Sequence, residues 1–203
     1  ILTYQLIGTL LSDPSAKIIR DIGTQVHLAN VSRLPRIQFD FLSIKETNEE
    51  RITREQRQES IRNGFLHAWR GYTKYAWGYD ELRPVSNGSN NNFNGWGATI
   101  VDSLDTMWIM DLKDEFNKSR DFVSKVDFST SDGFISVFET TIRYLGGLLS
   151  AFELSDDPIF LEKAYELGTA LLPSFNSSTG LPYNELSLAK YDYSISTYLE
   201  MNK

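Results

Sequence analysis

Apolar side chains recur at helical spacing along much of the chain after residue 50, which predicts a series of α-helices. The first helix is predicted to begin at Thr53, because Thr53 and Gln56 match a capping box. Its apolar stripe consists of Ile61, Phe65, Ala68, Trp69 and Tyr72. Residues 87–97 are rich in Asn, Gly and Ser and predict a loop. A second stripe follows the loop and consists of Ile100, Leu104, Met107 and Trp108.

Three further helices are predicted, over residues 114–126, over residues 134–152 and after Asp157. The last of these has clear end signals, since Asp157 can cap it, Pro158 suits the first helical position and Pro173 ends it. Its stripe consists of Phe160, Ala164, Leu167 and Leu171.

No stretch alternates apolar and polar residues for long enough to predict a sheet, so the predicted fold class is all-α. A faint repeat at an offset of about 42 to 45 residues matches the length of one helical hairpin. Such a period is compatible with a solenoid and with a closed α/α toroid. Residues 1–52 are predicted to be an irregular stem or linker, and residues 53–203 the amino-terminal portion of a helical domain.

The charge and the absence of cysteine exclude several kinds of site. The net charge of -7, without a cluster of Lys and Arg, argues against nucleic-acid binding, which needs a basic face. With no cysteine, the chain has neither a disulfide framework nor a thiolate metal site. An acidic balance is typical of a solvated surface and is also compatible with a sugar hydrolase.

Four sequons predict N-glycosylation and a lumenal or secreted protein. The acceptor residues are Asn30, Asn87, Asn117 and Asn176. The apolar run at residues 1–11 is too short to span a bilayer, so a membrane is expected only through an amino-terminal anchor that precedes this chain.

The predicted helix over residues 134–152 carries only two charges, Glu139 and Arg143, which lie four residues apart. A helix that is apolar on nearly all sides is expected to be buried on most of its surface. The two charges then face each other, either as a self-satisfied ion pair or as a functional carboxylate with an arginine that orients it or grips a sugar hydroxyl. A guanidinium favours the ionised carboxylate, whereas a general acid must keep its proton, so further carboxylates are expected nearby.

These residues lie in a segment that resembles glycoside hydrolase family 47, the class I alpha-1,2-mannosidases. The resemblance covers roughly residues 54–188 and is carried by the following segments: residues 138–143 (FETTIR), 145–151 (LGGLLSA), 74–84 (KYAWGYDELRP), 97–106 (GATIVDSLDT), 171–175 (LLPSF) and 180–183 (GLPY). Residues 189–203 do not share it.

The resemblance implies a partial (alpha/alpha)7 barrel, incomplete at the carboxyl end, and inverting, calcium-dependent hydrolysis of terminal alpha-1,2-linked mannose in high-mannose N-glycans. Glu139 matches the general acid, Arg143 a substrate-contacting arginine and Asp102 an acidic residue of the active site. Asp105 and Glu81 lie in matching motifs without an assigned role. The catalytic base and most calcium ligands are expected beyond residue 203, and no metal site is expected within the chain.

The implied partner is a high-mannose N-glycan, in the endoplasmic reticulum, in the Golgi lumen or outside the cell. One alternative is a glycan-recognising relative that promotes the degradation of misfolded glycoproteins. Another is an unrelated α/α-barrel glycosidase. Residues 1–203 alone are expected neither to hydrolyse mannosides nor to bind calcium tightly, because the second carboxylate that activates water is expected elsewhere.

Overall fold

A computed structural model of the protein describes residues 45–188. The chain divides into two compact units, Ile1–Asn48 and Glu49–Lys203, and the description below concerns the second. Most of the predicted stem, the sequon at Asn30 and residues 189–203 lie outside the described residues.

Helix α1 spans Asn48–Tyr75 and therefore begins before the predicted Thr53. Thr53 does not cap it, because its hydroxyl donates to the Glu49 carbonyl at 2.9 Å from within the helix. Trp69 and Tyr72 are its buried residues, while Ile61 of the same stripe is 63% exposed. The helix is thus anchored to the core through its last turns.

A small hairpin and a loop follow α1. Strands β1 (Glu81–Arg83) and β2 (Gly88–Asn90) pair antiparallel, and β2 lies within residues 87–97, which were predicted to form a loop. The loop then leads into α2 (Ala98–Asp102), α3 (Leu104–Ile109) and α4 (Lys113–Val123). The predicted second helix is thus present as two short helices that meet at Ser103.

The segment predicted as one helix over residues 134–152 begins differently from the prediction. Strand β3 (Phe134–Ser136) pairs antiparallel with β4 (Glu185–Ser187), and the helix starts only at Val137. It then runs without interruption through α5 (Val137–Glu139), a π-helical segment (Thr140–Leu145) and α6 (Gly146–Ser155). We call these three segments together the central helix.

The prediction of no sheet was wrong, because the described residues contain two antiparallel pairs of three-residue strands. Each strand is too short to show an alternating pattern: β3 buries one side chain, Ile135, and β4 one, Leu186. Helices nevertheless make up most of the described structure, as predicted.

Helix α7 (Pro158–Leu171) follows the prediction closely. The Asp157 carboxylate accepts a hydrogen bond from the Ile159 N–H at 3.1 Å, and Pro158 occupies the first turn. The four residues of its predicted stripe are all buried, and a short 3₁₀ helix (Leu172–Phe175) contains Pro173.

Helix α6 packs against α3 and α7, and α2 packs against the π segment. Their shared core is apolar and includes Ile100, Leu104, Met107, Tyr144, Leu148, Ala151, Phe160 and Leu167. Within residues 45–188, no helix is both long and apolar enough to cross a bilayer.

Candidate active site

Three charged side chains meet where α2 ends beside the central helix. Arg143 donates from Nε to Glu139 Oε2 at 2.7 Å and from Nη1 to Asp102 Oδ2 at 3.2 Å. The predicted pair of Glu139 and Arg143 is therefore present, and Asp102 supplies the further carboxylate. One guanidinium bridges two carboxylates that come from different elements.

All three side chains are partly accessible, with 32% of Glu139, 36% of Arg143 and 36% of Asp102 exposed. The expectation that the central helix is buried on most of its surface was wrong, since Phe138 is 66% and Ile142 50% exposed. In the described part of the chain, the core covers only one side of this helix. The charged group thus lies where a ligand can reach it.

Burial raises the pKa of Asp102, and the negative charges of Asp105 and Glu139 add to this effect. The hydrogen bond from Arg143 opposes it without cancelling it. The pKa of Arg143 is raised as well: burial alone would lower it, but the bonds to Asp102 and Glu139 outweigh burial. The arginine therefore stays charged, and Asp102 is a carboxyl group of this site whose pKa is raised.

The Arg143 guanidinium also lies over the ring of Phe93, with Cζ 4.8 Å from the ring centroid. Phe93 comes from the loop before α2 and was not singled out in the sequence. Cations are attracted to aromatic faces, so this contact favours a position of the guanidinium beside the ring.

Asp80 is a buried carboxylate that sequence reasoning also missed, although it lies within one of the quoted segments. It is fully buried and accepts bonds from the backbone N–H groups of Phe93, Gly95, Gly97 and Ala98 at 2.7 to 3.1 Å. The Tyr144 hydroxyl lies 2.9 Å from Asp80 Oδ1, and burial raises the pKa of this tyrosine. The glycine-rich loop after Asp80 has many backbone N–H donors that need acceptors. An acidic residue shortly before such a loop was therefore the signal that could have predicted this contact.

The two other predicted acids are engaged differently. Asp105 accepts bonds from the Thr106 N–H at 2.6 Å and from Ser150 Oγ at 2.9 Å, and its charge acts on Asp102. Glu81 accepts bonds from Asn92 at 2.7 Å and from Asn90 at 3.4 Å in the hairpin. The structure thus links Asp105 to the charged group and assigns Glu81 to the hairpin.

The three sequons in the described part have exposed acceptor residues. Asn87 lies in the turn between β1 and β2 with φ 55°, Asn117 lies on α4, and Asn176 follows the 3₁₀ helix. Ser119, the hydroxyl residue of the α4 sequon, is fully buried. N-glycosylation at these positions stays a prediction.

Residues 45–188 contain no cluster of three or more His, Cys, Asp or Glu that could hold a metal ion. A calcium ion takes six to eight oxygen ligands. The calcium ion that the family resemblance implies stays a prediction, and so does the position of its ligands.

The sequence pattern of glycosyl hydrolase family 47 matches residues 64–200 of this chain, so the expectation that residues 189–203 do not share the resemblance was wrong for residues 189–200. The chain belongs to this family. The match includes Asp80, Phe93, Asp102, Glu139 and Arg143, so the charged group described above is part of the family 47 segment.

Relatives in family 47 are much longer than this chain. It is 48% identical over 147 residues to a mannosyl-oligosaccharide 1,2-alpha-mannosidase of Arabidopsis thaliana, covering 72% of this chain and 26% of the relative. It is also 48% identical over 132 residues to the endoplasmic reticulum mannosyl-oligosaccharide 1,2-alpha-mannosidase of Homo sapiens. This match covers 65% of this chain and 19% of the human relative. The chain spans about a quarter of the Arabidopsis relative's length.

A solved structure, the alpha-1,2-mannosidase from Trichoderma reesei, is similar with a TM-score of 0.64 and 33% identity. The similarity covers 66% of this chain and 31% of that one. The helical arrangement described above is therefore shared with a family 47 mannosidase.

Proposed function

We propose that this chain supplies the acid side of an alpha-1,2-mannosidase active site that trims high-mannose N-glycans. In this proposal the helices form the first part of an (alpha/alpha)7 barrel. The observation that carries the proposal is the bridge from Arg143 to Glu139 and Asp102 within a family 47 segment. A glycosidase needs a carboxyl group that protonates the leaving oxygen of the scissile bond, and Glu139 has this role here.

Arg143 and Asp102 lie beside Glu139 and support its role in the proposed mechanism. Arg143 bonds to both Asp102 and Glu139, so one guanidinium holds the two carboxylates next to each other. Partial exposure leaves room for a sugar hydroxyl to bond to Arg143 or Asp102. Asp105 contributes through its charge on Asp102 and its bond to Ser150.

An inverting mechanism needs a second carboxylate that activates a water molecule on the opposite face of the sugar. We propose that this base lies outside the described residues, together with most oxygen ligands of a calcium ion. Glu81, bonded within the hairpin, is not part of this proposal.

The named relatives favour catalysis over glycan recognition alone. The three relatives named above are all called alpha-1,2-mannosidases. The alternative of an unrelated α/α-barrel glycosidase is wrong, because the family 47 pattern matches most of the chain. We place the protein in the secretory pathway, in keeping with the human, rat and mouse relatives named for the endoplasmic reticulum.

The test is a chimera in which residues 64–188 replace the matching segment of the Arabidopsis relative. We expect it to release mannose from a high-mannose oligosaccharide, whereas Ile1–Lys203 alone releases none. A chimera that unfolds cooperatively like the parent enzyme but has no activity contradicts the proposal. Measurable turnover by residues 1–203 alone contradicts the expectation that the base lies beyond residue 203.

A further inference from the structure

The backbone of Phe93 has a polar partner at both ends. Its N–H donates to Asp80 Oδ2 at 2.7 Å, and its carbonyl oxygen lies 2.8 Å from the Tyr144 hydroxyl, whose one proton it shares with Asp80 Oδ1. Tyr144 is the residue next to Arg143 in the π-helical segment. The backbone of Phe93 is thereby tied to the same turn of helix that carries Arg143.

Asp80 makes this arrangement rigid. Its carboxylate is fully buried, and Oδ2 also accepts the Gly95 N–H at 2.8 Å while Oδ1 accepts the Gly97 and Ala98 N–H groups. Charge-assisted bonds of this kind are among the strong hydrogen bonds in proteins. Phe93 therefore has little freedom to move away from the central helix.

The Phe93 ring lies against the guanidinium that bridges the two carboxylates. An arginine side chain has many rotamers, and a bridge through Nε and Nη1 needs one orientation of the guanidinium plane. An aromatic ring 4.8 Å from Cζ, carried by a backbone that Asp80 holds, favours this orientation before any sugar binds.

We propose that Phe93 is a positioning residue, which holds Arg143 in the orientation that bridges Glu139 and Asp102. The proposal rests on the proposed function only for its consequence in catalysis. The contact itself exists in this chain with or without a glycan. Without the ring, Arg143 retains its charge but exchanges between Glu139, Asp102 and solvent.

The experiment measures the exchange rate of the Arg143 Nε proton with water, by nuclear magnetic resonance of the full 203-residue chain labelled with nitrogen-15 arginine. The signal is assigned by its loss in Arg143→Lys. In the parent chain we expect slow exchange, because this proton is bonded to Glu139. In Phe93→Leu we expect severalfold faster exchange, and in Phe93→Tyr, which keeps the ring, a rate close to that of the parent.

The matched control is Phe152→Leu, a partly buried phenylalanine of α6, which should leave the exchange rate unchanged. Should Phe93→Leu fail to fold, Tyr144→Phe tests the same idea, since it removes the hydroxyl that holds the Phe93 carbonyl and should also speed exchange. An unchanged rate in folded Phe93→Leu, or in Tyr144→Phe where Phe93→Leu does not fold, overturns the proposal. Mannose release is not measured, so an error in the proposed function cannot imitate this result.

Discussion

Arg143 on the central helix reaches Asp102 at the end of α2, 41 residues earlier, with 3.2 Å between Nη1 and Oδ2. This contact depends on a close approach of the two elements. Val101, next to Asp102, lies against Gly147, and a Cβ atom on Gly147 would stand 2.9 Å from the Val101 carbonyl oxygen. The charged group is thus built on a backbone contact that only glycine permits.

Replacing Glu139 should remove the proposed general acid without disturbing the fold. In the chimera with the Arabidopsis relative, we expect Glu139→Gln to lower mannose release by about a hundredfold or more, the scale of general acid catalysis. The amide keeps the shape of the side chain, so the unfolding temperature should change little. Glu153→Gln, an exposed position on α6, is the matched control. Near-parental turnover in Glu139→Gln means that another group donates the proton.

Removing the Arg143 charge should raise the pKa of Asp102 further. Burial raises this pKa in the parent protein, and the bond from Arg143 opposes the rise, so Arg143→Gln leaves the effect of burial unopposed. The measurement is a carbon-13 titration of the Asp102 carboxyl group. Arg120→Gln is the control, because Arg120 pairs with Asp157 instead. A fall in the Asp102 pKa in Arg143→Gln contradicts the assignment.

The raised pKa of Asp102 also affects stability. The folded protein binds this proton more tightly than the unfolded chain does, so the contribution of Asp102 to the free energy of unfolding falls as pH rises from its ordinary pKa through the raised one. We expect Asp102→Asn to remove this part of the pH dependence. Urea unfolding at several pH values measures it. The same slope in parent and variant over that window would assign the dependence to other groups.

Asp157 should contribute to stability in two separable ways. It caps α7 through the Ile159 N–H, and it pairs with Arg120 at 2.8 Å. Asp157→Ala should cost about 1 kcal/mol for the cap, plus the smaller contribution of a partly exposed ion pair. Asp157→Asn keeps a capping oxygen and should lose only the pair. Equal losses in the two variants, measured by urea unfolding, would show that the cap contributes nothing.

The Asp157 pair also predicts an acid dependence. The bond from Arg120 lowers the pKa of Asp157, so the stabilisation is present above the ordinary aspartate pKa and is lost as pH falls through the lowered one. In Asp157→Asn this loss should be absent. Urea unfolding of the parent protein and of Asp157→Asn at several acidic pH values measures this loss in the free energy of unfolding.

Sequence signals predicted the features of the fold that depend on neighbouring residues. The cap and first-turn proline of α7 act within one helical turn, and that helix was predicted at its amino end without error. The start of the central helix was not predictable in this way. Residues 134–136 leave the helical pattern because they pair with 185–187, which are distant in sequence. The π-helical segment was not predicted either, since such segments are rare and occur inside α-helices.

The same limit applies to the candidate site. The spacing of Glu139 and Arg143 predicts their contact directly, because residues four apart meet on a helix. Asp102 was indicated only by the resemblance to family 47. No sequence pattern indicated Phe93, because its position depends on the hydrogen bonds between the loop backbone and the Asp80 carboxylate. Contacts between residues of different elements could be identified only from the structure.

Gly147 offers a test of the close approach on which the site depends. The added methyl group of Gly147→Ala would meet the Val101 carbonyl oxygen at 2.9 Å and Val101 Cγ1 at 3.0 Å, so α2 and the central helix must separate. We expect a loss of about 1–3 kcal/mol in the free energy of unfolding, the usual cost of overpacking.

Gly168→Ala on α7 is the matched control. The nearest neighbour of the added methyl group would be Leu145 Cδ1 at 4.0 Å, so nothing there is crowded. The better helix propensity of alanine should therefore stabilise the protein by up to about 1 kcal/mol. Opposite signs for the two variants in urea unfolding support the packing argument. A neutral Gly147→Ala would mean that α2 can shift at no cost. The bridge from Arg143 to Asp102 should then weaken in that variant, and its Asp102 pKa should rise as in Arg143→Gln.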